Sequence, residues 1–171
     1  NYLITGLFPA PLANLALQNG NVDDAIRRFE ELKRNNENGS LTRTDRWQLI
    51  TAYVAKKQWP VAKAELEAML NDENTPPNPD ERVRAANLYR LNDEMPAALA
   101  QLDAALKANP TNASAVVTRA FLYMNEKQFD EAKALLRGAV EKLGVDGETV
   151  PDVMFLMLAA VENESQPKST A

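Results

Sequence analysis

Cysteine and histidine are both absent from the 171 residues of the chain. Without cysteine it can form no disulfide, and it offers no thiolate as a nucleophile or metal ligand. Without histidine it lacks the commonest general base and the commonest nitrogen ligand for metals. Glycine is scarce, at six residues, and no glycine-rich phosphate-binding loop occurs. We therefore expect no catalytic residues, no metal site and no cofactor, and we predict that this segment is not an enzyme.

The charge balance argues against two classes of partner. Acidic residues outnumber basic ones by 24 to 19, which gives a net charge of −5. A nucleic-acid-binding surface needs the opposite balance, because it must attract phosphates. The longest charge-free run, residues 1–22, is interrupted by Pro9, Pro11 and Asn14, whereas a membrane span needs about 20 mostly apolar residues. We predict a soluble segment without nucleic-acid or membrane contact, and the missing cysteine fits cytoplasm and periplasm equally.

What the sequence does contain is one spacing that occurs several times. The stretch AFLYMNEKQFDEAKALL (120–136) follows ANLYRLNDEMPAALAQL (86–102) by 34 residues, with alanine, tyrosine and leucine at matching places. Aligning all copies on one alanine gives spacings of 37, 36 and 34 residues between Ala25, Ala62, Ala98 and Ala132. Each copy has two apolar stripes at helical spacing, separated by a short polar turn. The repeated unit is therefore predicted to be a helical hairpin.

The apolar stripes predict nine helices. The first helices of the hairpins are expected near 8–19, 42–57, 79–92 and 112–126. The second helices are expected near 22–36, 59–71, 95–108 and 129–143, and a last helix near 150–163. Capping-box spacings support two helix starts, at Thr42 with Asp45 and at Thr149 with Asp152, and Asn78 before Pro79 supports a third.

The period and its residues resemble the tetratricopeptide repeat. The copy that matches best has Ala120, Tyr123, Phe129, Ala132, Leu136 and Ala139, and the copy before it has Ala86, Tyr89, Met95, Ala98, Leu102 and Ala105. The resemblance implies an all-α fold, a right-handed α-solenoid of stacked antiparallel helix hairpins. In such a stack, small residues let the two helices of a hairpin approach closely, and rings fill the gap to the next hairpin.

The resemblance also implies the domain organisation. We expect a single repeat domain over residues 1–171, with four repeats at about 6–39, 42–76, 79–110 and 112–146. A terminal helix at 149–164 and a disordered tail at 165–171 would follow.

Members of this family bind peptides in a concave groove lined by the first helices, so the resemblance implies a non-catalytic scaffold for another protein or peptide segment. The alternatives are a structural spacer or oligomerisation segment of a larger protein, and an accessory domain of a larger enzyme. Carrying the groove positions over one by one gives as candidate peptide-binding residues Trp47, Gln48, Thr51, Arg84, Asn87, Arg90, Phe121 and Met124.

Two features of this set favour binding. Trp47, Phe121 and Met124 are large apolar side chains at positions expected to face solvent, where a monomer usually has polar residues. Arg84, Asn87 and Arg90 are spaced as one polar stripe, whose arginines would meet carboxylates of the bound segment. The alternative interpretation is that the arginines only solvate the helix and that a neighbouring side chain covers Trp47.

The terminal helix is predicted to carry a second interaction surface. Its stretch VMFLMLAAV (153–161) is apolar on every side, as expected for a helix held between neighbours. The residues that follow are polar and supply no second helix to cover it. We expect the parent chain to continue, and as a secondary prediction we expect a homodimer formed through Met154, Phe155, Met157 and Leu158.

Overall fold

Nine α-helices make up the part of the chain described by the computed structural model, residues 9–35 and 41–164, and no strand occurs among these residues. The helices are α1 (Pro9–Gln18), α2 (Val22–Asn35), α3 (Arg43–Ala55), α4 (Trp59–Leu70), α5 (Pro79–Leu91), α6 (Met95–Ala108), α7 (Ala113–Asn125), α8 (Phe129–Val145) and α9 (Asp152–Glu164). The predicted all-α class is confirmed. The predicted tail at 165–171 lies outside the described residues.

The helices form two compact units, one ending at Pro76 and the other starting at Pro77. In the first unit α1 packs on α2, α2 on α3 and α3 on α4, and α1 also packs on α3. In the second unit consecutive helices pack in the same way, and α7 also packs on both α5 and α9. These contacts between consecutive helices fit the predicted solenoid. The single repeat domain over residues 1–171 stays a prediction.

One alanine is buried near the start of the second helix of every hairpin. These residues are Ala25, Ala62, Ala98 and Ala132, and each is at most 1% exposed. In the second unit, Ala132 of α8 shares a core cluster with Ala120 of α7 and with Leu136. An alanine side chain ends at Cβ, so two helices that meet at alanines can pack closely without leaving a gap. The repeated spacing of these alanines in the sequence is therefore the spacing of the closely packed helix pairs.

The same backbone turn joins the two helices of every hairpin. A residue with positive φ follows the first helix, at Gly20 (77°), Lys57 (59°), Asp93 (60°) and Lys127 (61°). The next residue donates its backbone N–H to the carbonyl five residues earlier, over 2.8–2.9 Å, in the pairs Asn21–Ala16, Gln58–Tyr53, Glu94–Tyr89 and Gln128–Tyr123. This combination is the Schellman motif, which satisfies the last carbonyls of a helix and ends it.

Two of the three predicted helix starts are confirmed. The side chain of Thr42 accepts a hydrogen bond from the backbone N–H of Asp45 (3.2 Å), and Asn78 forms a reciprocal capping box with Glu81. The prediction at Thr149 is wrong, because α9 begins only at Asp152. Pro151 stands directly before that helix, and a proline disfavours the helical conformation of the residue preceding it.

Ionic and polar contacts tie the first unit together. Glu65 on α4 accepts hydrogen bonds from Lys33 on α2 and from Arg46 on α3, each over 2.7 Å. Burial raises the pKa of Glu65, whereas the hydrogen bonds and charges of Lys33 and Arg46 lower it. The lowering effects are larger together, so the pKa lies below its ordinary value. The hydroxyl of Tyr53 on α3 donates to Glu30 on α2 (2.7 Å), and burial together with this bond raises the tyrosine pKa.

Replacing Glu65 by Gln should destabilise the protein in a pH-dependent way. The pKa of Glu65 is lowered in the folded state, so its ionised form stabilises the fold above the unfolded pKa, and this contribution is lost as the pH falls through the folded value. We expect Glu65→Gln to lower the free energy of unfolding by about 1–3 kcal/mol at neutral pH. Urea titrations followed by circular dichroism should show a smaller difference from wild type in acid.

A matched control lies two residues away on the same helix. Glu67 is half exposed, and its carboxylate is 3.8 Å from the Lys63 ammonium. We expect Glu67→Gln to change the free energy of unfolding by less than about 0.5 kcal/mol. Equal effects of the two substitutions would contradict a specific role for the contacts of Glu65.

The close contact between α7 and α8 can be tested by adding volume at the alanine. Ala132 is fully buried, whereas Ala134, two residues along α8, is exposed. We expect Ala132→Leu to lower the free energy of unfolding by about 1–3 kcal/mol, because the added carbons have no space. We expect Ala134→Leu to change it by less than about 0.5 kcal/mol. Urea unfolding of both variants shows whether leucine destabilises the protein only at the buried position or at any position on α8.

Candidate functional site

The candidate residues of the second unit lie on two helices that pack side by side, α5 and α7. On α5, Arg84 is exposed and Asn87 is half-buried. Surrounding protein atoms nevertheless desolvate the Arg84 guanidinium and lower its pKa, while the charge of Glu81 acts in the opposite direction. Arg84 is thus a solvent-exposed residue of α5, although nearby protein atoms reduce its hydration.

Sequence reasoning missed one member of this face, Leu91, which is the last residue of α5 and is 66% exposed. It follows Arg84 by seven residues, and positions i and i+7 lie on nearly the same side of a helix. Arg90, six residues after Arg84, is turned further round the helix and is half-buried. The helical period alone would have placed Leu91 on the same side of α5 as Arg84, but Leu91 is not among the groove positions that the family resemblance implies.

The apolar candidates on α7 differ in exposure. The side chain of Phe121 is 48% exposed, an unusual position for a phenylalanine. Met124, three residues later, is half-buried and packs against the core cluster of the second unit. Phe121 is thus accessible to a ligand, whereas Met124 is partly covered by its contacts with the core cluster.

The candidates of the first unit lie on α3, and here one expectation is wrong. Trp47 was expected to face solvent but is only 5% exposed. The reason is that α3 packs against α1, α2 and α4, so most of its sides are covered. Gln48 is half-buried and Thr51 is exposed, but the Thr51 hydroxyl donates to the backbone carbonyl of Trp47 (2.8 Å). Within this unit the structure brings together no exposed aromatic surface from these three residues.

The predicted self-association residues on α9 also need correction. Met154 is fully buried, and Met157 and Leu158 pack against the core cluster of the second unit, because this side of α9 faces α7 and α8. Only Phe155 of the four predicted residues is exposed. The open side instead carries Val153, Phe155 and Leu156. The sequence was apolar on every side of this helix, so periodicity could not show which side packs inward.

A polar cleft in the first unit is an alternative location for a ligand. It has a volume of about 270 Å³ and is lined by Leu41, Arg43, Arg46, Asp72 and Thr75. Its two arginines are already engaged, since Arg43 donates to Thr75 and Arg46 donates to Glu65. These bonds give the cleft a structural role.

One comparison with known proteins gives a match for part of the chain. Residues 89–148 match the tetratricopeptide repeat family. No match was found among curated proteins. Among the described residues, no helix is long and apolar enough to cross a membrane, and no group of three or more acidic residues is arranged to hold a metal ion.

The burial of Trp47 changes the expected effect of removing it. We expect Trp47→Ala to lower the free energy of unfolding by about 3–5 kcal/mol, because a large buried side chain leaves a cavity. Gln48→Ala, on the next residue, should change it by less than about 0.5 kcal/mol. Circular dichroism during urea unfolding measures both. A Trp47→Ala variant as stable as wild type would contradict a structural role for the indole.

Proposed function

We propose, from the premise that residues 89–148 match the tetratricopeptide repeat family, that the exposed face of α5 and α7 binds a segment of another protein. The family match and the nine helices of the described residues fit a tetratricopeptide-repeat protein. Tetratricopeptide repeats generally mediate protein–protein interactions and are typically non-enzymatic modules. The proposal assigns no catalytic step to this segment.

The observation that carries the proposal is an exposed phenylalanine beside a helix that presents arginine. Phe121 on α7 offers an aromatic surface that a partner side chain could bury. Arg84 on the adjacent α5 offers a guanidinium, which prefers carboxylates and can bind them through two parallel hydrogen bonds. Within the described residues no ion pair involves Arg90, the second arginine among the candidate residues. The bound segment should therefore combine aromatic or aliphatic side chains with Asp or Glu.

The second candidate function is a structural or oligomerisation segment, including a homodimer through α9. One observation favours it, the exposed apolar side chains of Val153, Phe155 and Leu156. In that case the face of α5 and α7 would have no ligand, and changes there would leave every interaction of the chain intact.

The face of α5 and α7 can be tested without knowing the natural partner. A phage-displayed library of random peptides is selected on the wild-type chain, and the affinity of an enriched peptide is measured by fluorescence anisotropy. We expect enriched peptides to contain acidic and apolar residues. The double charge reversal Arg84→Glu with Arg90→Glu should weaken binding by at least about tenfold, and Phe121→Ala should weaken it to a similar extent.

The matched control reverses two cations elsewhere on the same unit. Lys107 and Lys142 are exposed and lie in the last turns of α6 and α8, as Arg90 lies in the last turn of α5. Lys107→Glu with Lys142→Glu makes the same change in net charge, and we expect it to alter the affinity by less than about twofold. A library that enriches no peptide, or equal affinities for both double variants, would reject the proposal.

A further inference from the structure

The side of α9 that faces away from its neighbours is apolar and uncovered. Phe155 is 49% exposed and Leu156 is 70% exposed. Ala159 and Ala160, one turn further along, are exposed as well. The opposite side of the helix is anchored by Met154 and Val161, both fully buried. Because the buried side holds α9 in place, the exposed side is a fixed surface.

Comparison with α7 shows what kind of element fits this surface. The first residues of the two helices are Ala113 and Asp152, and matching them pairs Ala115 with Met154 and Leu122 with Val161, all of them buried. The same match pairs Val116 with Phe155 and Ala120 with Ala159.

Val116 and Ala120 are fully buried, in one cluster with Ala132 and Leu136 of the helix that follows, α8. Their counterparts on α9, Phe155 and Ala159, are exposed. The described residues supply α9 with no following helix. The uncovered surface therefore has the shape of a helix-binding site, with Ala159 at the position where the hairpin in α7 and α8 places a small residue.

The chain segment that carries this surface has charges of one sign only. Residues 143–164 contain no lysine or arginine, and their five carboxylates belong to Asp146, Glu148, Asp152, Glu162 and Glu164. Arg137 of α8 pairs with Glu162. Within the described residues no ion pair involves the other four carboxylates. A second copy docked through the same surface would bring two sets of carboxylates together, which is unfavourable.

We infer that α9 binds an amphipathic helix of another protein, with a small residue facing Ala159 and with lysines or arginines along its edges. The helix would occupy the place that α8 takes beside α7, and its cations would meet the unpaired carboxylates. This surface is separate from the face of α5 and α7, so the inference does not depend on the proposed function.

The test uses two synthetic peptides of about 16 residues, long enough to form an isolated helix. Both carry the same stripe of leucine and alanine, and one has lysine and arginine on its edges where the other has glutamate. We expect the basic peptide to bind the chain and the acidic one to bind at least about tenfold more weakly, as measured by fluorescence anisotropy. Added salt should reduce the difference.

A pair of variants locates the binding. Ala159→Arg places a bulky cation at the centre of the surface, whereas Ala134→Arg makes the same change at an exposed alanine of α8. We expect Ala159→Arg to weaken binding of the basic peptide by at least about tenfold and Ala134→Arg to change it by less than about twofold. Both positions are exposed, so both variants should fold, and circular dichroism checks this.

Three results would overturn the inference. They are no binding of the basic peptide at about 100 µM, equal binding of the two peptides, and equal effects of the two variants. A fourth result would come from sedimentation velocity. If the wild-type chain is a dimer, Ala159→Arg converts it to a monomer and neither peptide binds, the surface belongs to a contact with a second copy. Binding that Arg84→Glu with Arg90→Glu abolishes would place the peptide on the other face.

Discussion

The repeated contact between helices at a buried alanine is the constraint on which the remaining structure depends. Ala98 and Ala132 occupy it in the second unit, and Ala25 and Ala62 occupy it in the first. A small residue there allows the helices of a hairpin to come together, and only then can their larger side chains fill one shared core. Since no hairpin buries both of its sides alone, each one also provides a surface for the next. A helix side that no neighbouring helix covers stays exposed, as Phe155 and Leu156 of α9 show.

The helices could be predicted closely from the sequence, because the signals for each one are local. Apolar spacing gave the stripes, and Thr42 and Asn78 marked two starts through hydrogen bonds within their own first turns. The wrong prediction for the start of α9 has a local cause too, because Pro151 disfavours the helical conformation of the residue before it. Helix boundaries that depend on a few neighbouring residues can therefore be predicted from the sequence.

Exposure was harder to predict, because it depends on helices that are distant in sequence. Trp47 and Phe121 are both expected from the family positions to face solvent, yet one is buried and the other is half exposed. They occupy different places in the repeat, since Trp47 matches Val83, which is also buried, and Phe121 matches Thr51, which is exposed. In the same way, α9 is apolar on all sides, so nothing in its own sequence distinguishes Met154 from Leu156. A family pattern therefore predicts which helix contributes to a surface better than it predicts which side chains are open.

The backbone turn within each hairpin has a consequence for how such a chain can change in length. Its geometry is set by main-chain bonds and one left-handed residue, and glycine, lysine and aspartate all fill that position. One residue inserted there would disrupt the hydrogen bond that closes the turn and shift the alanine of the second helix relative to the partner helix. The same insertion in the stretch between two hairpins leaves both apolar stripes aligned. Natural variation in the period, 37, 36 and 34 residues here, should therefore accumulate between hairpins, which makes the hairpin the unit that evolution can duplicate but not easily lengthen at its turn.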